Sequence, residues 1–159
     1  MKRNFTGIIF LIFTIAWMIL IFFFSSQSGS ESSGLSNKIT SVVIKIFVPK
    51  YNTYSLEEKD YIFSNFSYFI RKCAHFFIYS ILFLFSYICF YMFFKKWYII
   101  NIGPLVISLI YAITDEIHQS FSINRGPAVK DVIIDFLGAL MMLLLINVFL
   151  SLKRNFKKR

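Results

Sequence analysis

From Phe5 to Phe24 the chain runs for 20 residues without a charge, and no other feature constrains the fold as strongly. About 20 predominantly apolar residues are what a helix needs to cross the hydrocarbon of a bilayer. Three further segments share this character: roughly Cys73–Phe94, interrupted by His75; roughly Tyr98–Thr114; and roughly Val132–Leu150, with Asp135 inside its first turns. Gly103-Pro104 falls in the first turns of the third segment, where proline is tolerated. Lys2 and Arg3 precede the first run as they would in a signal peptide. The run is longer than the roughly 7–15 residues of a signal core and no Ala-x-Ala site follows, so it reads as an uncleaved helix.

The rest of the composition agrees. The 159 residues are 57% hydrophobic and only 16% charged, against about 45–50% and about 25% in soluble domains. One membrane domain over residues 1–159 is the expected organisation. Cys73 and Cys89 lie 16 residues apart in one predicted helix, about 24 Å at 1.5 Å per residue, too far for a disulfide.

Charge placement predicts the topology. Lys2, Arg3, Lys95, Lys96, Lys153, Arg154, Lys157, Lys158 and Arg159 flank the runs with no acid among them, while the other eight cations and all eight acids fall elsewhere. The whole net charge of +9 is thus assigned to one side, which the positive-inside rule makes the cytoplasm. Such a distribution suits anionic lipid and offers no nucleic-acid face. The expected fold class is an all-α integral membrane bundle of four transmembrane helices with both termini cytoplasmic. Residues 25–72 form the first extracytoplasmic loop, and the turn from Asp115 to Lys130 lies on the same outer side.

That loop begins with SSQSGSESSGLSNK, whose composition reads as a flexible linker. Ile39, Val42, Val43, Ile46 and Phe47 then recur at helical spacing. Ser55-Leu56-Glu57-Glu58 has the form of a capping box, opening a second helix through Ile62, Phe66 and Phe69 towards the second span. Both amphipathic pieces are expected to lie on the outer leaflet or to roof the bundle.

Polar residues collect at the outer ends of the spans. Arg71, His75 and Tyr79 are successive i,i+4 neighbours, with Lys72 beside them. Asp115, His118 and Gln119 share a helix face within about 100°, with Glu116 to one side. Asp131 and Asp135 form another i,i+4 pair, and Gly138 continues their face where a neighbouring helix can approach. Ser25, Ser26 and Gln27 fall at the same depth, and Asn124–Pro127 reads as a turn presenting Arg125. Ionisable residues inside a membrane segment must face the bundle and find partners, and by default they mark a functional site. For any one of them, structural pairing between helix ends is an equal reading; convergence from three helices favours a site for the group.

The motifs RKCAHFFIYSIL (Arg71–Leu82), AITDEIHQSF (Ala112–Phe121), NRGPAVKDVIIDFLGA (Asn124–Ala139) and FSSQSG after the first span occur in this order. Together they resemble the VanZ-like family of small bacterial membrane proteins, named for a member linked to resistance against the glycopeptide teicoplanin. The resemblance spans nearly the whole chain and matches at Arg71, Lys72, His75, Phe76, Tyr79, Asp115, Glu116, Gln119, Phe121, Arg125, Asp131, Asp135 and Gly138. Many relatives carry Asn where this chain has Asp135, and Pro-Gly where it has Ile123-Asn124. The resemblance implies a multi-pass protein of the bacterial cytoplasmic membrane and a phenotype, but no reaction and no cofactor.

Three functions of different kinds fit. In the first, Arg71, Lys72, His75 and Arg125 contact an anionic wall-related or lipid-linked headgroup, while Asp115, Glu116, Asp131 and Asp135 orient those cations and accept from hydroxyls. In the second, the chain is an enzyme acting on such a lipid, with His75, Asp115 or Glu116 in acid–base roles, or with His75, His118 and carboxylates holding a metal. An Asp-x-x-His pair has far less specificity for metal than His-Glu-x-x-His. The third is a structural or accessory bundle acting through a partner. The sequence has no glycine-rich phosphate loop, no nucleophile elbow and no cysteine-based zinc spacing.

Overall fold

The computed structural model describes residues 2–27, 29–121 and 128–157. These form five helices and one short 3-10 turn: α1 (Lys2–Ser25), α2 (Gly29–Phe47), the turn Tyr51–Thr53, α3 (Leu56–Phe93), α4 (Trp97–Gln119) and α5 (Val129–Lys157). No strand occurs among the described residues. Helices α1, α3, α4 and α5 are each long and apolar enough to cross a membrane, so the four expected spans are all present as helices.

Helix α3 is the axis of the bundle, packed against every other helix. Its course begins at the capping box, where Ser55 N donates to Glu58 Oε2 at 2.8 Å and Glu58 N to Ser55 Oγ at 3.3 Å. The piece expected to be a separate outer helix is instead continuous with the second span. The helix has 38 residues, about 57 Å at 1.5 Å per residue, against about 30 Å of hydrocarbon. Nothing between Ser55 and Phe93 breaks it, since the segment contains neither Gly nor Pro. Helix α4 starts at Trp97, one residue from the expected start, so Pro104 falls about two turns in, and the helix extends past the expected end to Gln119.

Side chain-to-backbone bonds stitch the helices together. Trp17 Nε1 donates to Ile78 O at 2.9 Å and Tyr111 Oη to Met18 O at 2.5 Å. The Arg3 guanidinium donates to the carbonyls of Tyr91, Met92 and Phe94, closing the C-terminal end of α3, which leaves carbonyls without intrahelical donors. These contacts make α1 antiparallel to α3. Ser80 Oγ donates to Gly138 O at 2.9 Å, and Phe83 and Tyr87 pack with Ala139 and Ile146, so α3 and α5 run in the same direction.

The loop holds the main departure from expectation. The serine-rich stretch is helical from Gly29 onward, and α2 packs on α3 through its small and hydroxyl side chains rather than its apolar stripe. Ser36, Thr40 and Ile44 are buried, whereas Val42, Ile46 and Phe47 are exposed. Ser67 Oγ donates to Asn37 Oδ1 at 2.8 Å, and Arg71 Nη2 to Ser33 Oγ at 2.9 Å. Small residues allow close helix approach, and their hydroxyls supply the bonds that the polar side of α3 requires. A linker composition in sequence is thus a packing face in the fold.

At Gly138 a Cβ would collide with the backbone carbonyl of Phe76, whereas at Gly34 it would meet nothing within 4 Å. Gly138→Ala is therefore expected to lower stability by about 1–3 kcal/mol, as overpacking does. Gly34→Ala is expected to be neutral or to stabilise by up to about 1 kcal/mol through helix propensity. Unfolding of both variants in detergent micelles reads the difference, and equal midpoints would contradict the close α3–α5 contact.

Candidate functional site

The expected stripe on α3 lies on one wall of a cavity of about 160 Å³. Arg71, His75 and Tyr79 line it from α3, Asp115 and Gln119 from α4, and Ser25 and Gln27 from the end of α1. Helix α2 adds Ser36 and Ile39, and Ile21, Phe24, Ile70 and Ile78 supply apolar surface. One cavity thus joins a polar cluster to an oily wall.

The polar groups are held from behind. Asp135 on α5 is 2% exposed and places Oδ1 3.4 Å from His75 Nδ1. That separation is an ion-pair distance rather than a closed hydrogen bond, and among the described residues Asp135 Oδ1 has no hydrogen-bond partner. Gln119 Nε2 donates to Asp115 Oδ2 at 3.0 Å and to Ser25 Oγ at 3.3 Å, tying α4 to the end of α1. Arg71 is anchored to α2 through Nη2 and Ser33. Two buried donors on the cavity wall, Arg71 Nε and Tyr79 Oη, have no hydrogen-bond partner within bonding geometry among the described residues, although Tyr79 lies beside the Asp115 carboxylate. Buried donors left unpaired cost roughly 1–3 kcal/mol each.

Other expected members serve elsewhere. Lys72 pairs with Asp131 across α3 and α5, and its Nζ also lies 4.8 Å from the Tyr68 ring centre; neither partner of that pair lines the cavity. Glu116 is buried and accepts from Ala128 N at 2.6 Å, satisfying a donor at the start of α5. The structure differs from the expected face at His118, which turns to α1. Its Nε2 lies 3.0 Å from Ser26 Oγ and its ring stacks on Phe22 at 4.2 Å. At about 100° per residue, His118 and Glu116 flank the Asp115–Gln119 direction on opposite sides. The bundle interior takes the Glu116 side. Arg125 and the turn Asn124–Pro127 lie outside the described residues.

Ser33, Ser36 and Ile39 are the contributors that sequence reasoning missed. Their signal is a helical repeat of small residues, Ser33, Ser36, Asn37 and Thr40, which composition alone presents as a linker. Among the described residues, no three His, Cys, Asp or Glu side chains are grouped so as to hold a metal ion.

Comparison with known proteins matches residues 10–150 to the family model described as VanZ/LLP1. No curated protein and no solved structure matches the chain.

The Lys72–Asp131 pair is mostly withdrawn from solvent, each side chain being 16% exposed. Asp131→Leu is expected to cost about 1–3 kcal/mol by leaving Lys72 without its charge partner. The double variant Lys72→Met/Asp131→Leu is expected to recover most of that loss, because removing both partners avoids an unpaired charge. A double-mutant cycle on unfolding in micelles measures the coupling, and strict additivity would show that the pair does not contribute.

Proposed function

This chain belongs to the VanZ-like family, and from that premise we propose a cell-envelope protein that binds the anionic headgroup of a wall-related or lipid-linked molecule. The site faces the outer side of the bacterial cytoplasmic membrane, with both termini in the cytoplasm, as the positive-inside rule requires of this charge distribution. Occupation of the site lowers access of a glycopeptide such as teicoplanin to its wall target.

The observation that carries this reading is the pair of donors on one cavity wall, Arg71 Nε and Tyr79 Oη, that have no hydrogen-bond partner among the described residues. A phosphate or carboxylate oxygen would satisfy both, and guanidinium geometry suits either anion. Asp115 acts beside them as an acceptor for ligand hydroxyls, held by Gln119. The isoleucines and Phe24 of the same cavity suit the first part of a lipid chain, so the headgroup need not leave the membrane to bind.

One observation supports a second reading, an acid–base enzyme acting on the same class of lipid. Asp135 stands behind His75 as a buried carboxylate orients a catalytic imidazole, and His75 lines the cavity. The chemistry differs from simple binding in requiring His75 to take up a proton from the ligand or from water.

Arg71→Gln combined with Tyr79→Phe is expected to weaken binding of a lipid-linked phosphate probe roughly ten- to hundredfold, the value of losing hydrogen bonds to a charged group. Glycopeptide susceptibility of cells carrying the variant is expected to change in parallel. Unaltered binding and susceptibility, with normal abundance, would refute the headgroup site. Product formation from the probe by wild type, lost in His75→Gln, would instead select the enzyme.

A further inference from the structure

The end of the bundle opposite the cavity presents a second and separate arrangement. There α3 and α5 leave a groove of about 360 Å³ between them, walled by Tyr87, Tyr91 and Met92 on one side and by Leu145, Phe149 and Leu150 on the other. We propose that this groove and the basic segment beyond it form a site for one anionic phospholipid, with an acyl chain in the groove and the phosphate on Lys153 and Arg154.

The geometry of α5 links the two halves. Leu150 and Arg154 are i,i+4 neighbours, as are Phe149 and Lys153, so both cations lie one turn beyond the groove wall on the same faces. Helix α3 has already ended at Phe93 while α5 continues to Lys157. Lys153, Arg154 and Lys157 are all exposed. Among the described residues Arg154 makes only a long 3.5 Å contact from Nε to Leu150 O, leaving the rest of its guanidinium to a ligand. Arg3, at the same end, is already committed to three carbonyls of α3.

Charge decides the occupant. Lys95 and Lys96 follow the end of α3 and add to the same field. Asp115, Glu116, Asp131 and Asp135 belong to the far ends of their helices, and Glu57, Glu58 and Asp60 to the first turns of α3. An apolar transmembrane helix would fill the groove but leave these cations unmatched. A diacyl lipid with a phosphate matches both parts, and a planar guanidinium can hold that phosphate through two parallel bonds. The free carbonyls at the end of α5 oppose an anion through the helix dipole. Selectivity must therefore come from the side-chain cations.

The test uses the full chain in neutral detergent, with phosphatidylglycerol and phosphatidylcholine of identical acyl chains as probes. Native mass spectrometry counts retained lipids, and a thermal scan follows stabilisation. Wild type is expected to retain one phosphatidylglycerol at least tenfold more tightly than phosphatidylcholine and to melt higher in its presence. Lys153→Gln/Arg154→Gln is expected to weaken phosphatidylglycerol roughly thirtyfold, the effect of two cations near a lipid phosphate. Leu145→Trp, which fills the exposed side of the groove, is expected to abolish retention with all charges in place. Circular dichroism confirms that both variants keep their helices. Equal retention of the two lipids by wild type, or selectivity surviving Lys153→Gln/Arg154→Gln, would overturn the site. Retention surviving Leu145→Trp would reduce it to diffuse surface attraction, and a dimer abolished by Leu145→Trp would give the groove to a second copy instead.

Discussion

The contact between Gly138 of α5 and the backbone of α3 at Phe76 sets the register of the polar groups around it. Only a residue without a Cβ fits against that carbonyl, and Ser80 fastens the same spot by donating to Gly138 O. With these two helices parallel and locked there, Asp135 comes level with His75 and Asp131 level with Lys72. Both carboxylates are within reach of a basic group, which is the condition for keeping ionisable residues inside an apolar bundle. A shift of one residue would rotate each by about 100° and strand four titratable groups.

The remaining helices are attached by polar contacts on backbone rather than by apolar packing alone. Where lipid replaces water, apolar burial gives little preference for one helix partner over another, and small residues and hydrogen bonds select the arrangement. Trp17, Tyr111 and Arg3 each donate to carbonyls of a neighbouring helix. At the other end of α3 the bonds are between side chains, with Ser67 and Arg71 of α3 donating to Asn37 and Ser33 of α2. Many large apolar side chains meanwhile point outward, Phe23, Phe149 and Phe47 among them, while Leu82 and Phe83 of α3 fill the core. Helix α2 follows this rule too, and its serine stretch is misread as a linker because a water-soluble helix would bury the opposite face.

Much of the site was legible. An i,i+4 stripe of Arg71, His75 and Tyr79 has few alternatives once the helix is recognised, and it does line the cavity. The capping box at Ser55 is equally local and forms as written. Gly138 was identifiable as a point of close approach by its place on the Asp131–Asp135 face. The separate duties of Glu116, His118 and Lys72 were not legible, since helical periodicity places a residue only to within a sector of the circumference. Which neighbour occupies that sector decides whether a carboxylate lines a cavity or accepts from the amide of Ala128.

The sequence by itself determined four apolar helices, a basic excess at one set of helix ends, and polar clusters at the other, because length, hydropathy and charge are properties of the chain alone. Tertiary structure decided which polar groups meet. It packed α2 on α3 by its hydroxyl face, turned His118 to Phe22 and Ser26, and paired Lys72 with Asp131. It also left Arg71 Nε and Tyr79 Oη without hydrogen-bond partners among the described residues on one cavity wall. Those outcomes depend on helix rotation and register, which are set by contacts between segments far apart in the chain.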